Sequence, residues 1–387
     1  MSYKRVKYLV LIVVLALTMS FNSVEAQVAL PANQSKASDA KPVCPGPAAP
    51  GDSRCYAWAK PDTSTAPVGL SPVQMKAAYG FSTSNTAGAN MTIAIVDAYN
   101  LPTAENDLNV FSTQFNLPAC TTANGCFKKV SQTGGTKYPR DNSGWGLEIA
   151  LDIEWAHAIA PGAKILLVEA SSNSFTNLLT AEDYAAANAS YVSNSWGGSE
   201  SSGEASNDPH FVHSGVSFFV SAGDAGLPAE YPSASPNVIS VGGTLLTFNS
   251  NGILASETGW SSGGGGCSQY ETANSSQSGF SGYAQVSCGG KRATPDVSLD
   301  ADPNSGAAVY DSSSYNGQTG WYQVGGTSLS SPMWAGRAAD SGAQVSAAYV
   351  YGGSISFRDI TVGNNGAPCL VGFDLCTGRG SWTGPTP

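Results

Sequence analysis

Gly146-Leu-Glu-Ile-Ala-Leu-Asp-Ile-Glu-Trp-Ala-His-Ala-Ile159 and, after a short turn, Lys164-Ile-Leu-Leu-Val168 decide the architecture. The first stretch reads as a helix that is apolar on nearly every face, which places it inside the protein. The second is an unbroken apolar run, the pattern of a strand covered on both faces. The same alternation continues outward. Upstream lie a strand, Thr92-Ile-Ala-Ile-Val96, ending at Asp97, and a helix over residues 103–115 capped by Thr103 with Glu105 in its first turn. Downstream lie a helix over residues 175–187 and three strands, Val192-Ser-Asn-Ser-Trp196, Val216-Ser-Phe-Phe-Val220 and Val238-Ile-Ser-Val241. Alternating buried strands and helices predict an α/β fold whose mostly parallel sheet is covered on both faces. Sites in such folds lie at the C-terminal ends of the strands. Residues 261–290, with Gly263 to Gly266, read as an irregular surface insertion.

Composition narrows the function. The chain has 387 residues, 42% of them hydrophobic, so disorder of the whole chain is excluded. Only 12% are charged, about half the usual quarter. The net charge of −10 argues against a nucleic-acid partner, which requires clustered Lys and Arg. Lys4, Arg5 and Lys7 precede an apolar run from Leu9 to Leu17, and Val24-Glu25-Ala26 offers small residues at the two positions a signal peptidase reads. Residues 1–26 are therefore expected to be a secretory signal, which makes the protein secreted and extracellular. A membrane anchor is the competing reading, but the run is too short to span a bilayer. No later apolar run is long enough either, so no membrane association is expected after signal removal. Eight cysteines, an even number, suit an oxidising compartment. Local pairing (Cys44 with Cys55, Cys120 with Cys126, Cys267 with Cys288, Cys369 with Cys376) is the simplest of the 105 ways to join them. Without a C-x-x-C pair, zinc is disfavoured. Residues 27–68, rich in Pro, Ala and Ser, read as a leader or linker, and residues 69–387 as the main globular domain.

Three features could carry chemistry. Glu148 and Asp152 are four apart on one face of the buried helix. An acidic stripe is ordinarily solvated, but the flanking Leu147, Ile149, Leu151 and Ile153 leave little wet surface. A carboxyl pair sharing a proton follows, which is how a carboxylate becomes a tuned acid or base. In Gly325-Gly-Thr-Ser-Leu-Ser-Ser-Pro-Met-Trp-Ala-Gly336, Ser328 falls at a strand-to-helix junction. There its hydroxyl would be accessible and its N–H could face an oxyanion, although Ser is also a common helix cap. Ser221-Ala-Gly-Asp-Ala-Gly226 sets Asp224 in a glycine-rich turn directly after a strand, where an acid usually caps its own turn.

With Ser193-Asn-Ser-Trp-Gly197 and Thr294-Pro-Asp-Val-Ser298, these segments make the chain resemble the sedolisins, or serine-carboxyl peptidases, from about Leu70 to Trp382. The resemblance implies a subtilisin-like three-layer fold. It makes Ser328 the nucleophile, Glu148 the general base, Asp152 the second acid of the pair and Asp224 the oxyanion-hole acid. Protein or peptide substrates and a monomeric enzyme are expected. A Glu base oriented by Asp works at a pH where His is protonated and useless. Asp224 donates to an oxyanion only while protonated, so two steps favour acid. Asp97 could instead orient a histidine, as in subtilisins, yet His157, His210 and His213 all lack the subtilisin histidine context. Phe357-Arg-Asp-Ile-Thr-Val-Gly363 and Val371-Gly-Phe-Asp-Leu-Cys-Thr-Gly378 match the family's calcium segment. That match implies one Ca2+ held by the carboxylates of Asp359 and Asp374 and the carbonyls of Ile360, Leu370 and Gly372.

Two departures stand out. The family carries a large N-terminal propeptide, where only residues 27–68 separate the signal from the catalytic pattern. The stretch between Ala335 and Phe357 is also shorter than the family leads one to expect. The first departure motivates an alternative, a catalytically inactive secreted binding protein on a peptidase scaffold. Retention of all four of Glu148, Asp152, Asp224 and Ser328 argues against it.

Overall fold

A computed structural model describes residues 39–353 and 355–384. The expected signal peptide, residues 1–26, and the first part of the leader lie outside the described residues. The centre of the fold is an eight-stranded sheet. Across it run Leu254–Gly259, Ile239–Phe248, Ser217–Ser221, Tyr191–Asn194, Thr92–Ala98, Lys164–Ala170 and Phe127–Ser131, with Val297–Asp300 also paired to Ile239–Phe248. Every pairing is parallel except that of the edge strand Leu254–Gly259. Such strands need cover on both faces. Helices Ser143–Ile159 and Thr327–Ser341 pack on each other and on the sheet, and helix Phe175–Asn188 packs on Thr92–Ala98 and Lys164–Ala170 to form the other layer. This is the subtilisin-like arrangement the motifs implied.

Local differences have local causes. The first long helix begins at Ser143, where Asn142 caps it by accepting from Trp145 N at 3.1 Å. Thr103 precedes helix Ala104–Gln114 but does not cap it with its side chain; its hydroxyl donates to Asp107 instead, at 2.5 Å. Trp196 does not continue its strand. It opens a second one, Trp196–Ser199, belonging to a different sheet. The stretch 261–290 is no loose insertion. Gly266–Thr272 pairs with Lys291–Thr294, and the glycine run threads a gap with no room for side chains. A Cβ on Gly264 would lie 2.1 Å from the carbonyl oxygen of Ala222, just before Asp224.

From residue 39 the expected leader pairs with strands of the region after residue 68. Arg54–Cys55 pairs with Trp196–Gly197, and Trp58–Ala59 pairs with Val324–Gly325. A strand that borrows its hydrogen bonds from two existing edges needs no apolar alternation of its own, which is why its composition resembled a linker. All four disulfides join the neighbouring cysteines expected. Among the described residues no helix is long and apolar enough to cross a membrane.

The interior also holds carboxyls without cations. Glu182, on helix Phe175–Asn188, is fully buried, and its nearest donor is Asn194 Nδ2 at 3.3 Å. Burial pushes its pKa up to about 8. A folded-state pKa raised in this way supports stability fully below the unfolded value and loses that support as pH rises through about 8. Glu182→Gln should therefore leave the melting temperature unchanged at pH 4. At pH 9 it should raise it by roughly 2–4 °C, the response to about 1 kcal/mol in a large domain. Thermal scans of both proteins at the two pH values check this.

Candidate active site

Strand Gln318–Gly325 feeds through Gly326 into helix Thr327–Ser341, which puts Ser328 in the first turn. Gly326 has φ +96°, a conformation that disfavours any side chain. Ser328 is fully buried rather than accessible as expected, because the Arg54–Ala59 segment crosses over it. Its hydroxyl points to the carbonyl of Ser195 at 3.4 Å, and its N–H meets the carbonyl of Tyr56 at 3.4 Å.

Beside it, helix Ser143–Ile159 presents Glu148 and Asp152, both fully buried. Burial first, and the neighbouring Asp152 second, push the pKa of Glu148 well up; the Ser328 hydroxyl and the Ala57 N–H act in the opposite sense. Neither Glu148 oxygen completes a well-formed hydrogen bond, which leaves both free to take a proton from a close donor. Asp152 accepts from Ser195 Oγ at 2.9 Å, and burial with a contribution from Asp97 raises it as well. Asp97 is a third member of the cluster that the sequence motifs did not assign. It ends strand Thr92–Ala98, is fully buried, and is raised by burial, by Glu148 and by Glu169. Its position at a strand's C-terminal end is the signal the sequence offers for it. Burial first, and mutual repulsion second, oppose ionisation of all three carboxyls at once.

Asp224 closes the site from the turn after strand Ser217–Ser221. Its Oδ1 accepts from the Thr327 N–H and the Thr327 hydroxyl, both at 2.8 Å, which ties this turn to the start of the helix that carries Ser328. Its Oδ2 is buried without a partner. Burial, only partly offset by the Thr327 bonds, lifts the pKa to about 7. In acid the carboxyl is thus neutral, with a donor to give on Oδ2. A Cβ built on Gly326 would lie 2.9 Å from that Oδ2 and 1.9 Å from the Tyr56 carbonyl oxygen. The acid and a peptide carbonyl therefore border the same small space above Gly326.

No histidine enters the cluster. His157 is buried against the Pro118 carbonyl, 2.9 Å from Nε2, and burial pushes its pKa down to about 4. It neighbours Cys120 and Cys126, whose sulfurs are joined to each other and so not available to a metal. His210 pairs with Asp183 at 2.7 Å.

The Cys369–Cys376 disulfide closes the loop that carries Leu370, Gly372 and Asp374, with Asp359 and Ile360 on the preceding segment. The Gly372 N–H donates to Asp359 at 2.8 Å and the Leu370 N–H to Asp374 at 2.6 Å. Asp374 also accepts from the backbone of Cys376 and Thr377, and Asp359 lies near enough to raise its pKa, after the larger effect of burial. Ile360 is buried beside Asp359. Two repelling carboxylates with neighbouring carbonyls, all oxygen donors, fit a hard cation.

Residues 134–346 match the Subtilase family. Among curated proteins, the chain is 30% identical over 368 residues to Sedolisin of Pseudomonas sp. (strain 101), covering 82% of this chain and 59% of that one. It is 31% identical to Kumamolisin of Bacillus sp. (strain MN-32), covering 82% of this chain and 63% of that one. The chain thus spans about three fifths of the length of these relatives. Among solved structures, Pseudomonas sedolisin (serine-carboxyl proteinase) complexed with two molecules of pseudo-iodotyrostatin superimposes with a TM-score of 0.69 at 29% identity, over 82% of this chain and 96% of that one.

The crowding above Gly326 has a direct test. Gly326→Ala should lower the melting temperature strongly, since the methyl meets both backbone and carboxyl. Gly317→Ala, at φ +78° with open space around it, carries the backbone strain alone and should cost only about 1–3 kcal/mol. Equal losses in the two variants would contradict the close approach.

Proposed function

The chain belongs to the subtilase family and, within it, to the sedolisins; from that premise we propose that it is a secreted, acid-acting serine-carboxyl endopeptidase. The observation that carries this reading is the meeting of Ser328, Glu148 and the free Oδ2 of Asp224 around one space. Ser328 attacks a peptide carbonyl, and its proton passes to Glu148. The Glu148–Asp152 pair gives up its first proton to supply the base and keeps the second, with Ser195 orienting Asp152. The oxyanion that forms on the substrate takes hydrogen bonds from the Ser328 N–H and from protonated Asp224. Glu148 then returns its proton to the leaving amine, and water hydrolyses the acyl group on Ser328. Removing one oxyanion donor typically costs about 3–4 kcal/mol of barrier. An inactive binding role finds no support in a cluster whose every member is present and in reach of another.

The calcium reading supports the fold rather than the chemistry. A Ca2+ held by Asp359, Asp374 and the carbonyls of Ile360, Leu370 and Gly372 would clamp the C-terminal loop, which packs against the Gly263–Gly265 run next to the Asp224 turn.

Protein incubated in acid should hydrolyse denatured casein best at roughly pH 3–5, and activity should fall as Asp224 loses its proton near pH 7. Ser328→Ala and Glu148→Gln should abolish turnover, and Asp224→Ala should cut it by roughly 100-fold or more. Turnover surviving Ser328→Ala, or an optimum above pH 7, would reject the mechanism. For the metal, chelation should release one calcium per chain and lower the melting temperature; a chelated protein that melts unchanged rejects the site.

A further inference from the structure

The exposed positive charge of this acidic chain is concentrated on one hairpin. Among the described residues five Lys and Arg side chains are exposed, and three of them, Lys128, Lys137 and Arg140, fall within thirteen consecutive positions, 128–140. No Asp or Glu lies within that stretch. It consists of the edge strand Phe127–Ser131 and its return. The Ser131 N–H donates to the Gly135 carbonyl at 2.9 Å, and the returning Tyr138 donates from its hydroxyl to the Lys129 carbonyl at 3.2 Å. The turn is braced from one side, since a Cβ on Gly134 would collide with the ring of Tyr184. Lys129 is spent within the fold: its Nζ donates to Asn100 Oδ1 and the Leu101 carbonyl, both at 2.8 Å, with Glu169 at 3.6 Å. Lys128, Lys137 and Arg140 form no ion pair among the described residues. Two of them are nonetheless held in place. Lys128 Nζ donates to Tyr184 Oη at 3.4 Å, and the Arg140 guanidinium lies over the Tyr99 ring, 5.2 Å from its centre. A guanidinium stacked by its face keeps its N–H edges for an anion. The neighbouring acid Asp141 accepts from Asn100 Nδ2 at 2.6 Å.

Tyr99 joins this hairpin to the site. It follows strand Thr92–Ala98, which carries Asp97, and it lines a groove of about 690 Å³ together with Ser53, Arg54 and Asn173. The same groove is lined by Lys41, and by no Asp or Glu among the described residues. There the Ser53 N–H donates to the Asn173 carbonyl at 2.7 Å, so the groove borders backbone that an extended chain can pair with. We propose that Lys128, Lys137 and Arg140 form an anchoring surface, outside the cleft, for anionic side chains of a polypeptide substrate; this rests on the peptidase reading above. A polypeptide is the partner because the charged hairpin runs without a break into a groove beside an extended-chain edge, where main-chain pairing and side-chain contacts act together. The surface supplies charge for affinity and encounter rather than for the chemical step. Carboxylates serve it only in part in acid, since Asp and Glu titrate at about pH 4. A phosphoserine keeps a negative charge there and meets Arg140 with two oxygens at once.

The test measures fluorescence anisotropy with the full Ser328→Ala chain at about pH 4 and about 50 mM salt. Three extended peptides are compared, alike except at two positions that carry phosphoserine, glutamate or serine. The phosphoserine peptide should bind about tenfold more tightly than the serine peptide, the sum of a few exposed charge contacts. The glutamate peptide should fall between them and gain on the phosphoserine peptide at about pH 6, where it is ionised. Lys128→Gln, Lys137→Gln and Arg140→Gln together should erase the differences and leave the melting temperature unchanged, because all three side chains are exposed. In the active chain the same three changes should raise KM for casein, spare KM for dephosphorylated casein and leave kcat alone. Equal binding of the three peptides, a preference that survives in the triple variant, or binding of a sulfated polysaccharide in place of the peptides overturns the anchoring surface and leaves the peptidase reading standing. A phosphoserine preference that the triple variant loses, in a chain that neither hydrolyses casein nor reacts with a serine-directed fluorophosphonate, overturns the peptidase reading and leaves the binding surface.

Discussion

Carboxyl groups kept from water without a cation beside them are the constraint on which the rest of this structure depends. Glu148, Asp152 and Asp97 lie fully buried together, and Asp224 lies just across the nucleophile. Each would be costly as an isolated anion, so the group must share protons or carry them outright. That one condition draws in the other features of the site. Ser195 and Thr327 spend their donors on these acids rather than on solvent. On the proposed mechanism the acids work where protons are plentiful. The low charge content of the whole chain agrees with this, since few ionisable groups limit the self-repulsion that opens proteins in acid.

The sheet converts that chemistry into geometry. Its parallel strands end on one side, where Asp97, Ser195 and the Asp224 turn follow one another across neighbouring strands. Ser328 arrives from a different element, the helix after Gly326, whose Thr327 is tied to the Asp224 turn by two hydrogen bonds of 2.8 Å. Two edges flank this meeting point, Trp196–Ser199 and the end of Gln318–Gly325, and both offer unpaired backbone to an extended chain. An extended peptide is recognised at such edges by its main chain, with side-chain pockets adding selectivity. Here the chain's own residues Arg54–Ala59 take that place.

Much of the fold was legible because it follows from local rules. Residues 146–159 could only be a buried helix and Lys164–Val168 only a doubly covered strand, and both are. Ser328, Glu148, Asp152 and Asp224 were each visible by residue type in a recognisable segment. What escaped has a common physical reason. Residues 39–68 gain their structure from edges made elsewhere in the chain, so their own pattern said linker. The Gly263–Gly266 run is a tightly packed crossing, and glycines chosen for lack of space look the same in sequence as glycines chosen for flexibility. Asp97 was legible as a strand-terminal acid but not as a neighbour of Glu148, because nothing in its own segment records what lies across the sheet.

The sequence by itself determined the class of fold and the local disulfides, since burial patterns and cysteine spacing are properties of single segments. Only the tertiary structure decided which acids are buried near one another, which oxygen of Asp224 is left free, and what covers Ser328. Those depend on distances of a few ångströms between residues far apart in the chain, and on water being excluded from the space between them. Carboxyl burial and cleft occupancy are properties of that enclosed space, and no stretch of sequence contains it.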